Sequence, residues 1–507
     1  MNHMAKKITT KALDGTIVEF KDIIIGQGTM KDVYFSPDKS YVVAFFRNLK
    51  KGTAEYIATK DRLNKITGIY KERIFNQTGG EYWQNLFCWP HKVVEYNGKI
   101  GVITPAYQKK FFFEHGSINN DILKIKGKEK EGKWFASASN RNRFLDNREK
   151  GTLITYLRIC INISRAMRRM HAAGLAHSDL SYKNILIDPV TGSAAIIDID
   201  GLVVPDMYPP EVVGTPDFIA PEVLSTLHLP KGDPKIKLPN RTTDQHALSV
   251  LFYMYLLFRH PLRGKKIHSA DPDIDNLLQM GERALFIEHP SDESNRPNLK
   301  TTNRYSLPWA DTNKIPYTIL GPYLVKLFNR AFIDGLHNPS ERPTANDWEQ
   351  ALVKTVDFLQ PCLNKQCEMK WYIFDIKVRP KCPYCGTSYK GNLPVIDFYS
   401  PKKMGTFTHD NHRLIGYNGL IVYQWHVNKT IFPNEKLTEQ QRIPVADFHL
   451  VNDKWYLINR NLYSMYDKSE NKPIPINSKI ELTQGKHILL STEEGGRLCI
   501  VTLIHNQ

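Results

Sequence analysis

One short stretch, from His177 to Asn184, constrains this chain more than any other. It reads His-Ser-Asp-Leu-Ser-Tyr-Lys-Asn, follows a segment with helical periodicity and precedes an apolar run that begins at Ile185. Asp179 and Asn184 therefore lie five residues apart, in a loop before a buried strand. A carboxylate for an attacking hydroxyl and an amide oxygen for a metal ion are what a phosphoryl-transfer loop requires. The stretch predicts such a loop.

Two further segments follow this loop in a fixed order. Asp198 lies fourteen residues after Asn184, within Ile-Ile-Asp-Ile-Asp-Gly, and Gly214 begins a Gly-Thr-Pro-Asp-Phe-Ile-Ala-Pro-Glu segment sixteen residues later. Together the three segments resemble the catalytic core of eukaryotic-like protein kinases. The resemblance covers about residues 15–358. It implies an α+β, bilobal kinase-like fold that uses ATP and Mg²⁺.

The resemblance assigns catalytic roles to three residues. Asp179 would orient and deprotonate the acceptor hydroxyl, Asn184 would hold one Mg²⁺, and Asp198 would bind the Mg²⁺ that bridges the β- and γ-phosphates. The usual Asp-Phe-Gly reads Asp-Ile-Asp here, so Asp200 adds a carboxylate near the metal. Taken singly, this segment is also compatible with an ordinary Asp-rich turn.

The segments predicted to bind the nucleotide match the kinase pattern less closely than the catalytic segments do. A Gly-x-Gly turn resembles the kinase glycine-rich loop, whose glycines let backbone N–H groups approach phosphates, but Lys31 replaces the third glycine. A Thr-Pro-Ala-Tyr segment falls where the kinase hinge would be. The nucleotide-binding residues predicted from these two segments are Gly26, Gly28, Val33, Thr104 and Ala106.

The lysine that kinases carry on their third strand is missing. The chain reads Val-Ala-Phe-Phe-Arg there. Side chains alternate along a strand, so Arg47 points inward if Phe45 takes the lysine position and outward if Phe46 does. We predict Arg47 as a nucleotide contact, while a lysine in the following loop could substitute only if that loop rearranged. Glu55 is favoured over Glu72 as the helix carboxylate that pairs with the cation.

Several more distant residues match structural positions of the kinase fold. Glu222 has a predicted ion-pair partner in Arg342, because a guanidinium can bond a carboxylate with two parallel hydrogen bonds. Asp244 resembles the buried aspartate that braces the catalytic loop, to which His177 belongs. These matches favour the fold rather than a particular substrate.

The sequence argues against switching by phosphorylation. Ser178 replaces the arginine that usually precedes the catalytic aspartate, so a phosphorylated segment would lack its docking charge. Between Asp198 and Glu222 only Tyr208 and Thr215 offer hydroxyls.

Four of the seven cysteines have the spacing of a zinc site. The pattern Cys-x4-Cys, fourteen residues, Cys-Pro-Tyr-Cys predicts two knuckles around one tetrahedral ion. We interpret it as a structural Zn²⁺, with a reactive thiol pair or a chance cluster as alternatives. The other three cysteines are isolated, which favours a reducing compartment over a disulfide framework. The predicted zinc ligands are Cys362, Cys367, Cys382 and Cys385.

The C-terminal part alternates short β-type runs with turns, which is typical of an all-β domain. Its second half resembles a forkhead-associated domain, but lacks that family's phosphate-binding Ser/Arg signature. The predicted domains are a kinase N-lobe at 8–107, a C-lobe at 108–358 with a basic insertion at about 114–150, a zinc ribbon at 359–392, and a degenerate forkhead-associated-like β-sandwich at 393–507.

Net charge and the distribution of apolar residues indicate which partners and which compartment to expect. The net charge is +16, but no recognition helix or aromatic-interleaved RNA motif accompanies it, so nucleic acid is not expected as a partner. No run approaches the ~20 apolar residues of a membrane span, and the N-terminus lacks a signal core. We expect a cytoplasmic protein that does not bind membranes.

The domain order resembles that of atypical bacterial kinases associated with tellurite resistance. Those kinases act in a triad with a von Willebrand A-domain protein and a metal-dependent protein phosphatase, which the resemblance implies as partners here. Two hypotheses follow. The first is an active serine/threonine kinase, since Asp179, Asn184 and Asp198 are all present. The second, favoured by the missing strand lysine and the altered glycine loop, is a pseudokinase scaffold that binds nucleotide and partners without phosphoryl transfer.

Overall fold

A computed structural model of the protein describes residues 6–27, 30–76, 79–202, 214–230, 232–377, 379–403 and 406–506. The chain forms two compact units. The first contains residues 1–151, 158–312 and 328–348, and the second contains residues 152–157, 313–327 and 349–507. Within the described ranges, no helix is both long and apolar enough to cross a membrane.

Seven strands open the first unit: β1 (Lys7–Lys11), β2 (Ile17–Lys21), β3 (Ile24–Gln27), β4 (Lys31–Phe35), β5 (Tyr41–Phe46), β6 (Lys92–Tyr96) and β7 (Lys99–Pro105). β1 and β2 form a hairpin, and the other five form an antiparallel sheet in the order β3-β4-β5-β7-β6. Between β5 and β6 lie α1 (Ala54–Lys65), a π-helical turn (Ile66–Tyr70), α2 (Lys71–Phe75) and α3 (Gly80–Gln84).

The two faces of β5 pack against different neighbours. Val43 and Phe45 are buried beneath the β1–β2 hairpin, whereas Ala44 and Phe46 are buried on the α1 side, in the same cluster as Leu63. This division follows from the alternation of side chains along a strand. It produces one helix packed on one face of an antiparallel sheet, as the kinase resemblance implies.

Helices dominate the rest of the first unit. Those that follow β7 are α4 (Ile118–Asp121), α5 (Ala138–Phe144), most of α6 (Leu153–Ala172), α7 (Pro221–Leu224), α8 (Arg241–Leu257) and α9 (Pro272–Met280). Most residues of α10 (Gly321–Asn329) and α11 (Ala345–Val356) belong to the second unit. Strands β8 (Ile185–Asp188) and β9 (Ser193–Ile196) form a hairpin between α6 and α7. α6 ends just before Gly174, whose φ of 82° suits glycine. α8 is buried on nearly every side, which explains its continuous apolar run.

The basic insertion at about 114–150 is folded onto the rest of the unit. Phe135 and Leu145 are fully buried, and Lys130 forms buried ion pairs with Glu149 (3.0 Å) and with Asp188 of β8 (2.8 Å). A buried lysine is stable only when paired, so these two carboxylates fix the insertion beside the β8–β9 hairpin.

The second unit contains a small hairpin and two larger sheets. β10 (Leu359–Pro361) pairs with β11 (Trp371–Ile373). The remaining elements are β12 (Gly391–Lys403), β13 (Thr406–Ile415), β14 (Ile421–Val422), α12 (Gln424–Val427), β15 (Ala446–Val451), β16 (Lys454–Asn459), β17 (Tyr466–Asp467), β18 (Lys472–Pro473), β19 (Lys479–Glu481), β20 (His487–Leu489) and β21 (Leu498–Asn506). They form a sheet in the order β13-β12-β21-β20-β17-β18 and a sheet in the order β14-β15-β16-β19.

Both larger sheets contribute to one apolar core. Phe398 and Val501 from the first sheet lie in the same buried cluster as Phe448 and Leu457 from the second. This is how the two layers of a β-sandwich pack. The likeness to a forkhead-associated domain stays a prediction.

Candidate active site

Asp244 of α8 binds the backbone of the predicted catalytic loop, residues 177–184. Its carboxylate accepts hydrogen bonds from the backbone N–H groups of His177 (2.8 Å) and Ser178 (3.1 Å) and lies 3.0 Å from Nε2 of His171. On the other side of the loop, Nε2 of His177 lies 3.0 Å from the carbonyl oxygen of Ile197. These contacts fix the backbone immediately before Asp179.

Asp179 is oriented by two neighbours. The side-chain amide of Asn184 donates to its carbonyl oxygen (2.7 Å) and to Oδ2 (2.9 Å), and the hydroxyl of Thr215 donates to Oδ1 (2.9 Å). Thr215 also donates to Ser181 (3.2 Å) and is buried. The hydroxyl that the sequence offered as a phosphorylation site is therefore part of the loop's own hydrogen bonding, while Tyr208 lies outside the described residues.

Asn184 and Asp198 are brought side by side by the backbone. The carbonyl oxygen of Asn184 accepts a hydrogen bond from the N–H of Ile197 (3.0 Å), the residue before Asp198. The Asn184 amide nitrogen donates both of its hydrogen bonds to Asp179. Oδ1 of Asn184 accepts no hydrogen bond within the part of the chain that the structure describes. The Asp198 side chain is about half exposed, at 53%. An open amide oxygen beside an accessible carboxylate fits Mg²⁺, which prefers hard oxygen ligands.

Lys31 reaches this pair of acidic residues from β4. Its Nζ lies 3.0 Å from Oδ1 of Asp198 and 2.6 Å from Oδ2 of Asp200. Burial favours a lower pKa for Lys31, but Asp200 and Asp198 outweigh it and raise the pKa above its usual value. Burial likewise favours a higher pKa for Asp198, but Lys31 outweighs it and holds the pKa below its usual value. This contact was not predicted from the sequence, because Lys31 was considered there only as the residue that replaces the third glycine.

The structure does not place Arg47 with Asp198. Phe46 packs on the α1 side of β5, and its ring lies 5.4 Å from Nζ of Lys31; we call the space between this part of the sheet and Asp198 the cleft. Arg47, one residue after Phe46, points to the opposite face of the sheet. There its Nε lies 3.2 Å from Oδ1 of Asp32, whose cross-strand partner is Phe45.

The structure likewise does not place Glu55, the predicted helix carboxylate, beside Lys31. Thr53 caps α1 by accepting a hydrogen bond from Tyr56, and this starts the helix so that Glu55 is exposed in its first turn. Glu72, the alternative, is exposed as well. Neither forms an ion pair within the described ranges. The buried carboxylate of the cleft is Asp200 instead, at 7% side-chain exposure.

The other predicted nucleotide contacts have mixed placements. Gly26 lies in β3 opposite the half-buried Val33 of β4, whereas Gly28 lies outside the described residues. Thr104 is in β7 opposite Val42. Ala106 donates its N–H to the carbonyl of Ser40 (3.0 Å), so this N–H is already bonded within the protein.

The predicted pair of Glu222 and Arg342 is present. The two guanidinium nitrogens Nη1 and Nη2 lie 2.8 Å and 2.7 Å from the two carboxylate oxygens, as in a bidentate pair. Arg342 is only 1% exposed and also donates to the carbonyls of Gly335, Leu336 and Thr242. It thus joins Glu222 in α7 to the start of α8.

A cavity of about 600 Å³ opens beside the catalytic loop. Tyr182 of the loop and Asp217, two residues after Thr215, contribute to one side of it. The folded insertion contributes to the other side, with Lys133, Trp134 and Phe144. A cavity of this size, lined in part by Tyr182 of the same loop as Asp179, can accommodate part of an acceptor molecule.

The four paired cysteines of the second unit converge on one point. All four Sγ atoms lie within 4.8 Å of one another, with Cys362 and Cys385 separated by 3.5 Å and Cys367 and Cys382 by 3.8 Å. Four thiolates around Zn²⁺ at about 2.3 Å would be about 3.8 Å apart, so the cluster fits a tetrahedral zinc ion.

Comparison with known proteins agrees with this geometry. Residues 133–369 match the protein kinase domain family. This part of the chain is therefore similar to a protein kinase domain. The N-terminal sheet lies before the matched residues, so the similarity is concentrated where the catalytic loop, Asp198 and Arg342 lie.

The similar curated proteins are protein kinases, named either serine/threonine kinases or dual serine/threonine and tyrosine kinases. The kinase PknD of Chlamydia felis is 31% identical over 141 residues, covering 24% of this chain and 14% of the relative. PknD of Chlamydia abortus is 31% identical over 169 residues, covering 29% and 17%. The kinase ppk21 of Schizosaccharomyces pombe is 28% identical over 158 residues, covering 27% of each chain. These similarities support the expectation of a eukaryotic-like serine/threonine kinase. The matches span less than a third of the length of each of these relatives.

Proposed function

We propose that the protein is an ATP- and Mg²⁺-dependent serine/threonine kinase that transfers the γ-phosphoryl group to a protein hydroxyl. The observation that carries the proposal is the convergence of Asp179, Asn184 and Asp198 in one hydrogen-bonded arrangement. Phosphoryl transfer depends mainly on positioning and on charge neutralisation, and these residues serve both.

Each residue has a distinct part in this proposal. Asp179, held by Thr215 and Asn184, accepts the proton of the acceptor hydroxyl and orients its oxygen. Asn184 offers Oδ1 and Asp198 offers a carboxylate oxygen to Mg²⁺, which when bound neutralises phosphate charge. The cavity lined by Tyr182 and Asp217 offers room for a segment of the acceptor.

The experiment compares wild type with Asp179→Asn. Purified protein is incubated with radiolabelled ATP, Mg²⁺ and a generic protein acceptor, and incorporated label is counted. We expect label with wild type and at least a hundredfold less with Asp179→Asn. Asp453→Asn is the matched control, because this exposed residue of the second unit has a φ of 60°, which asparagine tolerates.

The second candidate is a pseudokinase that binds nucleotide without transferring phosphate. The phenylalanine at the strand-lysine position and the exposed Glu55 favour it. Calorimetric titration with ATP and Mg²⁺ separates the two. Binding by wild type with no more label than Asp179→Asn would establish the pseudokinase, and the absence of binding would remove both candidates.

We further propose that the four cysteines hold a structural Zn²⁺. Cys367 and Cys382 are buried, and all four coordination positions would be filled by protein, which leaves none for a reactive water. Metal analysis of the purified protein should give one zinc per chain. Cys382→Ser should lose it and lower the melting temperature of the second unit, while the isolated Cys499 should tolerate Ser without metal loss.

The sequence resemblance also supports partners and a location. We propose a von Willebrand A-domain protein as the acceptor, a metal-dependent phosphatase as its antagonist, a cytoplasmic setting, and a degenerate forkhead-associated fold for the C-terminal sandwich. Affinity purification of the chain from its native cells tests the partners. If neither class of partner protein is recovered, the proposed partners are contradicted, and the proposed kinase chemistry is unaffected.

A further inference from the structure

The cleft needs a fixed cation where β5 offers none. A kinase-type site holds the nucleotide phosphates with a lysine as well as with metal. The β5 residue that faces α1 and the cleft at this point is Phe46, and the neighbouring Arg47 points to the other face. Among the residues that the structure describes, Lys31 alone forms ion pairs with Asp198 and Asp200.

The strand register explains how Lys31 reaches that position. In the antiparallel pairing of β4 with β5, Lys31 lies directly opposite Phe46. Directly opposed residues point to the same face, with Cβ atoms about 5 Å apart. The Lys31 ammonium lies 5.4 Å from the centre of the Phe46 ring, consistent with this shared direction. Lys31 therefore projects into the space that a lysine at position 46 would occupy.

Asp200 completes the arrangement. The Lys31 ammonium lies 2.8 Å and 2.6 Å from the two carboxylate oxygens of Asp200 and 3.0 Å from Asp198. Asp200 is buried, whereas Asp198 is half exposed toward the proposed metal. These three oxygens engage all three donors of the ammonium, so Lys31 must exchange one contact to bind a phosphate oxygen. The contact to the half-exposed Asp198 is the one to exchange, while the buried Asp200 keeps the ammonium in place.

We propose that Lys31 is the cation that holds the nucleotide phosphates and that Asp200 is its positioning residue. Together they replace the third-strand lysine and the helix glutamate of other kinases. The inference rests on the proposed function, because it assigns the phosphate contact of that same site. It also explains why Gly201 comes one place later than in Asp-Phe-Gly, since Asp200 occupies the glycine position.

Removing the cation is the first test. In Lys31→Met, the affinity for ATP with Mg²⁺, measured by calorimetry, should fall about tenfold or more, because a charge-assisted contact to phosphate is lost. Phosphoryl transfer should fall about a hundredfold or more. Lys11→Met is the matched control, since Lys11 is an exposed lysine of β1. Melting temperatures of all variants verify folding.

Moving the cation across the strand pair is the second test. The double variant Lys31→Met with Phe46→Lys should recover at least a tenth of the wild-type affinity and transfer, because both positions face the same space. A folded double variant that stays at the level of Lys31→Met would overturn the claim that position, rather than mere charge, is what Lys31 supplies.

Asp200 is tested by the kind of kinetic defect it causes. Asp200→Asn should raise KM for ATP about tenfold while changing kcat less, and Asp200→Glu should restore part of the loss. A fall in melting temperature with unchanged KM would assign Asp200 a structural role only and overturn this part.

The outcomes separate this inference from the kinase proposal. If Lys31→Met binds nucleotide and transfers phosphate within twofold of wild type while Asp179→Asn is inactive, the inference is wrong and the kinase proposal stands. If wild type transfers nothing, the kinase proposal fails, and the calorimetric comparison still decides whether Lys31 holds nucleotide.

Discussion

The two sides of the cleft keep the kinase pattern to different degrees. On the side of α8, Asp244, the catalytic loop and the Glu222–Arg342 pair lie where the sequence motifs predict them. On the side of the sheet, the cation is Lys31 of β4 instead of a lysine of β5, and Glu55, the predicted helix carboxylate, is exposed. The family match covers the first side and lies entirely after the sheet. Loop positions fixed by buried hydrogen bonds tolerate little relocation, whereas a charge can enter the same space from either of two paired strands.

The largest expected effect comes from removing the brace of the catalytic loop. Asp244→Ala leaves the N–H groups of His177 and Ser178 without their acceptor, at a cost of roughly 1–3 kcal/mol each. We expect urea unfolding to show a loss of about 3 kcal/mol and transfer to fall at least a hundredfold. Asp22→Ala, a change at an exposed aspartate outside the left-handed region, serves as the control. Near-normal activity would show that the catalytic loop keeps its arrangement without Asp244. The side of the cleft formed by this loop would then tolerate substitution as well as the sheet side does.

The second effect is a loss of stability with a smaller loss of function. Arg342→Met removes a buried guanidinium that holds Glu222 and three carbonyl oxygens. Breaking one partner of a buried pair typically costs about 3–5 kcal/mol. Chemical denaturation should reveal this loss, while Arg283→Met, a change at an exposed arginine, should stay within about 0.5 kcal/mol of wild type. Equal effects of the two substitutions would contradict a structural role for the pair.

Much of the molecule follows directly from sequence patterns. The helix after Thr152 ends just before Gly174, the apolar run from Leu248 forms a buried helix, and the paired cysteines converge. Each of these depends on local periodicity or spacing, which a single sequence carries.

The features that the sequence did not predict depend on pairing between segments. Whether Arg47 faces the cleft turns on which of two phenylalanines faces α1, and only packing decides that. The role of Lys31 requires the register of β4 against β5, and that of Thr215 requires the chain to return to Asp179 after an intervening segment. A lysine at a position that normally holds glycine was the one available signal, since glycine is replaced at such a site only when the new side chain has space.

A subtler change tests the orientation of Asp179. Thr215→Val keeps the shape of the side chain but removes its hydrogen bond to Oδ1. A bond to a charged acceptor contributes about 1.5–3 kcal/mol, so kcat should fall about ten- to a hundredfold while KM for ATP is unchanged. Thr215→Ser retains the hydroxyl and should keep most of the activity. Equal activity of the Val and Ser variants would mean that Asn184 alone orients the carboxylate.

The smallest effect is expected at the two residues that the sequence placed in the cleft and the structure does not. Glu55 is exposed, and Arg47 is paired with Asp32 on the outer face of the sheet. Substitution of the exposed Glu55 should change stability by no more than about 0.5 kcal/mol. Arg47→Met leaves the buried Asp32 with the more distant Lys99 (3.6 Å) and should cost more stability. Neither change removes a residue that the proposed site uses. Glu55→Ala and Arg47→Met should therefore each retain transfer and ATP affinity within about twofold of wild type.

This near-absence of effect is the sharpest check on the comparison between the two sides of the cleft. The same measurements on Lys31→Met supply the positive reference, since all three substitutions remove one charge from the N-terminal part of the first unit. If Glu55→Ala instead reduced transfer more than tenfold, α1 would have to rotate and bring Glu55 inward when nucleotide binds. Glu55 would then join Asp198 and Asp200 as a third carboxylate partner of Lys31. The sheet side would in that case reach the usual kinase arrangement by movement of α1 rather than by substitution of residues.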